Sequence, residues 1–79
     1  NPNSEGRVRF GMSGLGEGAH RVSVDLFDLL GARVQSEQLN IDGEELNTVL
    51  QLNGSIQRGV YVVNVTVDGR LWTERLVVQ

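Results

Sequence analysis

From Tyr61 to Val67 every second residue is large and apolar, the stretch is β-branched almost throughout, and Asp68-Gly69 separates it from a second extended run, Leu71 to Val78. A period of two sends alternate side chains to opposite faces of a strand, and Asp-Gly between two such runs is the signal of a two-residue type I′ hairpin. The carboxyl end of the chain is therefore predicted to be an antiparallel pair of strands. Val60 and Val62 occupy the second phase, so the first of these strands is expected to be buried on much of both sides.

The rest of the chain repeats this grammar. Val8 and Phe10 alternate with Arg7 and Arg9, and Met12 carries the apolar phase into a glycine-rich loop. Val22, Val24 and Leu26 form the clearest alternation, followed by Asp28-Leu29-Leu30-Gly31, whose glycine suits a positive φ, and by an extended run from Ala32 to Leu39. After the Asp42-Gly43 turn, Leu46, Val49 and Leu50 fit a helix, whereas Leu46, Thr48, Leu50 and Leu52 fit a strand. A strand is predicted, because the segment is short for a helix and no serine or threonine cap precedes it. Asn53-Gly54-Ser55 marks another turn, with Ile56 as an apolar plug before Arg58-Gly59. Six to seven short strands without a convincing helix imply an all-β fold, a small antiparallel β-sandwich of immunoglobulin-like architecture.

With 79 residues there is material for a single core, so residues 1–79 are expected to form one domain. The first residue is Asn1 rather than Met, which points to a fragment or processed piece whose first few residues are missing. Its longest apolar run is strand-sized, predicting a soluble domain with no membrane-spanning helix. Ten acidic against seven basic residues, the latter scattered arginines, disfavour nucleic acid as a partner. The absence of cysteine removes disulfides, thiolate metal sites and a cysteine nucleophile.

Several groupings invite a chemical reading. Gly14-Leu15-Gly16-Glu17-Gly18-Ala19 loosely fits a dinucleotide-binding loop, but a strand follows where a helix should begin, and Glu17 would meet the phosphate. No cofactor is expected. His20 lacks a nucleophile elbow, and it falls in the opposite strand phase to Ser23 and Asp25, so a solvated histidine is expected. One histidine does not supply a zinc site, and Asp42, Glu44 and Glu45 lack the spaced ligands of an EF-hand loop. Tyr61 and Trp72 offer the best cue for sugar stacking, although Tyr61 lies in the apolar phase and is predicted to be core. Asn53-Gly54-Ser55 and Asn64-Val65-Thr66 match the glycosylation pattern and read as incidental. The expected protein is not an enzyme.

Taken in order, these residues resemble the type A C-terminal sorting domain of the type IX (Por) secretion system. Asn1-Pro2-Asn3 is similar to the end of that family's Tyr-Pro-Asn-Pro element, and the run from Val22 through Asp28 and Gly31 to Val34 to its central strand and hairpin. Arg58-Gly59-Val60-Tyr61 resembles its Gly-Ile-Tyr strand, and Glu74 to Gln79 its terminal Lys-Leu-Val-Val element, with Arg75 where lysine is common.

The resemblance implies an export signal. It directs an upstream cargo domain through the periplasm and across the outer membrane of a Gram-negative bacterium, to the medium or cell surface, where a surface sortase commonly removes the signal. Its implied partners are the secretion machinery and that sortase. An exposed terminal edge strand offers unpaired backbone groups as a docking template, so Arg75, Leu76, Val77, Val78 and Gln79 are the expected recognition segment. Asp28, Gly31, Gly59 and Tyr61 are expected to define the fold. Edge pairing would also permit a homodimer. The alternative function is a surface-adhesion or carbohydrate-binding module of a secreted protein.

Overall fold

The computed structural model describes residues 6–79 and, as backbone, residues 2–3. Asn1, the first residue of the Asn-Pro-Asn element, lies outside the described residues. Among the described residues seven strands run in chain order: β1 (Pro2–Asn3), β2 (Arg7–Met12), β3 (Ala19–Phe27), β4 (Arg33–Asp42), β5 (Leu46–Gln51), β6 (Gly59–Val67) and β7 (Arg70–Val78). They form a five-stranded sheet of order β1-β7-β6-β3-β4 and a two-stranded sheet, β2-β5. All pairings are antiparallel except the short β1–β7 contact. The segment after Asp42-Gly43 is a strand, as its context predicted.

Alternation builds the core. The inner row of the large sheet carries Val22, Val24 and Leu26 from β3, Tyr61, Val63, Val65 and Val67 from β6, and Leu76 and Val78 from β7. Val8, Leu46, Leu50 and Leu52 cover it from the small sheet, with Phe10 and Met12 partly buried beside them. Each fully buried aliphatic side chain of this kind stabilises the fold by about 1.5–3 kcal/mol. Burial of β6 is nevertheless one-sided. Val62 is only half-buried and Val60 is exposed, because among the described residues no second layer packs on the outer face of the large sheet.

The turns are chemically specified. Asp68 and Gly69 both have positive φ, 51° and 80°, as a type I′ hairpin demands, and Val67 pairs directly with Arg70. At the β3–β4 turn the Asp28 carboxylate accepts hydrogen bonds from the amides of Leu30 (3.0 Å) and Ala32 (2.9 Å), while Gly31 takes φ 89°. The Gly14–Gly18 loop also contributes to the core. Leu15 enters the core, and its amide donates to the Glu44 carbonyl at 3.0 Å, tying the loop to the start of β5.

A buried polar residue of β4 completes the frame. Gln35 of β4 donates from Nε2 to the Gln51 carbonyl (2.8 Å), and its Oε1 accepts from the Asn53 amide (2.8 Å), so its amide stands in for a strand partner at the end of β5 and joins the two sheets. Its position, in the inner phase of a strand, gave no hint of this pairing across the layers.

Candidate functional site

The terminal segment sits where β7 closes against its two neighbours. Tyr61 pairs with Leu76, Val60 with Val77 and Gly59 with Val78. The strand alternation divides the segment: Leu76 and Val78 point into the core, at 4% and 9% exposure, whereas Arg75 and Gln79 are exposed and Val77 is half-buried on the outer face. The edge is not open to its end. Pro2 and Asn3 of β1 pair in parallel with Val77 and Val78, so among the described residues β7 lacks an outer neighbour only from Arg70 to Leu76. Within the expected recognition segment, the outer edge is thus already paired at Val77 and Val78. A backbone row attracts a partner until it finds one, and here the first residues of the chain supply it.

The fold-defining residues surround this end of the sheet. Gly59 opens β6 with φ 155°, a backbone region that side-chain-bearing residues rarely adopt. Two residues on, the Tyr61 ring is in the core while its hydroxyl donates to the Gln57 carbonyl at 2.7 Å. A tyrosine near a strand start that bonds back to the preceding backbone is the corner seen in immunoglobulin-like sandwiches, and it pins the approach to β6. Asp28 and Gly31 lie in the turn after β3, whose end at Phe27 pairs with Val62, so all four fold-defining residues sit toward the end of the large sheet that carries Gln79.

These elements build an outward row at the end of a sheet, held by a glycine, a tyrosine corner and an aspartate turn. A profile of the secretion system C-terminal sorting domain matches residues 1–79. The chain belongs to that family, the C-terminal sorting domains of type IX secretion. As such a sorting domain it acts as a secretion signal, works with the type IX machinery, and accompanies export across the outer membrane to the cell surface or extracellular space. No curated protein matches the chain. No solved structure matches it either.

His20 and Trp72, weighed for other chemistry, are otherwise engaged. His20 is buried, not solvated as its place at a strand start suggested. Nδ1 meets the Asp68 carboxylate and Nε2 the Gly16 carbonyl, so the ring clamps the glycine loop to the β6–β7 turn. The two acceptors raise its pKa above 6.5, Gly16 contributing most and the Asp68 hydrogen bond next; the negative charges of Asp68 and Asp42 add to this against the opposing effect of burial. Strand alternation alone could have flagged His20, which shares the inner phase of Val22 and Val24. Trp72 is partly buried against the core, with the Arg70 guanidinium 5.1 Å from its ring centroid, so one ring face is already taken by a cation. Among the described residues no group of three His, Cys, Asp or Glu is placed to hold a metal ion, and no helix is long and apolar enough to cross a membrane.

Proposed function

We propose that the sorting domain is read as a folded, non-catalytic address through the outward residues of its carboxyl end, Arg75 and Val77 of β7 and Gln79 just beyond it, and that Leu76 and Val78 act by holding that row in place. The observation that carries this reading is the alternation at the end of β7, where three side chains of the expected recognition segment face away from the core and two complete it. Removal by a surface sortase after export belongs to the same reading and is supported by the family's general behaviour. Catalysis by the domain itself is disfavoured because its one imidazole is engaged at both nitrogens.

Fusion of residues 1–79 to the C-terminus of a folded periplasmic reporter, in a host with the type IX system, tests the proposal. The wild-type fusion is expected in the medium or at the surface. A combined Arg75→Ala, Val77→Ser and Gln79→Ala variant should keep the circular dichroism of the wild type and leave most of the reporter in the periplasm. Export of that variant at the wild-type level, with the fold intact, would move recognition elsewhere on the domain.

A further inference from the structure

Three turns carry an acidic residue or its amide directly before a glycine: Asp42-Gly43, Asn53-Gly54 and Asp68-Gly69. In such a pair the side-chain carbonyl carbon of the first residue can reach the backbone nitrogen of the second, and glycine leaves that nitrogen unshielded by a Cβ. The fold separates the three. The Gly43 amide donates to the Gly18 carbonyl at 3.0 Å, so its nitrogen is held in a hydrogen bond. The Asp68 carboxylate is engaged by His20, and a carboxylate is in any case a poorer electrophile than a carboxamide. Asn53-Gly54 is restrained in neither way.

Asn53 is exposed, and among the described residues neither its carboxamide nor the Gly54 amide has a hydrogen-bond partner. The backbone of Asn53 is fixed instead. Its amide donates to Gln35 Oε1 (2.8 Å), and its carbonyl accepts from the Ile56 amide (3.0 Å) to close a turn with Gly54 and Ser55 at the centre. Leu52 is buried on one side and Ile56 partly buried on the other, so both ends of the turn are anchored while its tip stands in solvent. The space around Gly54 is open, since a Cβ built there would meet nothing within 4 Å. Asn40, Asn47 and Asn64, by contrast, lie within β4, β5 and β6 and precede Ile41, Thr48 and Val65, whose branched side chains crowd the following nitrogen.

We propose that Asn53-Gly54 is a site of spontaneous covalent modification, where the chain deamidates and its backbone is partly rerouted through the Asn53 side chain. The Gly54 nitrogen gives its proton to a base from solvent and attacks Cγ of Asn53. The N–Cγ bond forms, the Cγ–Nδ2 bond breaks, and the leaving nitrogen takes a proton from water and departs as ammonia. Water then opens the cyclic imide. Breaking the new N–Cγ bond leaves aspartate; breaking the original peptide bond to Gly54 leaves isoaspartate, with the chain running through Cβ and Cγ. The net exchange is one water for one ammonia, and either product adds a negative charge to a chain of formal charge -3. Isoaspartate disturbs the fold more. It lengthens the backbone between two anchored residues, and it turns the carbonyl that accepts from Ile56 into a free carboxylate beside the amide that Gln35 uses to join the sheets. The inference is independent of which residues the secretion machinery reads.

Incubation of the folded 79-residue chain at mildly alkaline pH tests it, read by mass-spectrometric peptide mapping and by enzymatic methylation of isoaspartate. Both signals should map to the peptide that holds Asn53, at a rate close to that of a short synthetic peptide of residues 51–57. Asn53→Gln should abolish them. Gly54→Ala should slow them severalfold while keeping the fold, because Gly54 does not take a positive φ and has room for a methyl group. The isoaspartate fraction, separated by ion exchange, should melt below both the fresh chain and an Asn53→Asp variant. An Asn53 that stays intact in the folded chain while the peptide deamidates would overturn the proposal, and so would deamidation that appears first at Asn40, Asn47 or Asn64.

Discussion

Protonated, the His20 ring donates to the Asp68 carboxylate and to the Gly16 carbonyl at once; neutral, it loses one of those donors and turns a lone pair toward an oxygen. Its pKa in the folded chain is therefore raised above the 6.5 of the unfolded one. A raised value means that the contribution to stability is complete below about pH 6.5 and is lost as pH climbs through the folded value. The melting temperature is expected to fall as pH rises above about 6.5, and His20→Asn should flatten that slope. Asp68→Asn should flatten it in part, since Gly16 and Asp42 remain. A wild-type slope retained in the His20 variant would assign it to other groups. The sequence placed His20 at a strand start but gave no view of Asp68, which lies 48 positions further along the chain.

At the scale of elements, the strands whose ends are set by turn chemistry were the most legible. Asp68-Gly69 and Asp28 to Gly31 each declare a reversal by their own residues, and both occur where their patterns place them. Gly59 belongs with them. A Cβ built there would stand 3.8 Å from the Tyr61 ring, an ordinary contact, so any penalty for a larger residue comes from the backbone at φ 155° and not from crowding. Gly59→Val is expected to destabilise the domain by about 1–3 kcal/mol, read as a shifted denaturation midpoint. A midpoint unchanged from the wild type would show that β6 can begin in another conformation.

For the whole molecule, the end of β7 couples sorting to stability. Deleting Arg75 to Gln79 removes the outward row but also Leu76 and Val78, each contributing about 1.5–3 kcal/mol when fully buried. Small domains hold only about 5–15 kcal/mol in total, so the truncated chain is expected to lose much of its cooperative melting and protease resistance. A truncated domain that melts like the wild type would show that β6 and β3 sustain the core alone. Position at the end of the chain carries no information about which face of the last strand is buried. Substitution of the outward residues separates the two properties where deletion does not.

The sequence by itself determined the all-β class, most strand positions, the two tight turns and the family, because each is written in local periodicity, in the backbone freedom of a few residues, or in the order of short elements. The tertiary structure decided which strand edges stay open, that β1 covers the end of β7, that Gln35 bridges the sheets and that His20 is buried between a loop and a distant turn. Those outcomes depend on pairings between segments far apart in the chain, and a strand's alternation specifies its two faces without naming the neighbour at either edge.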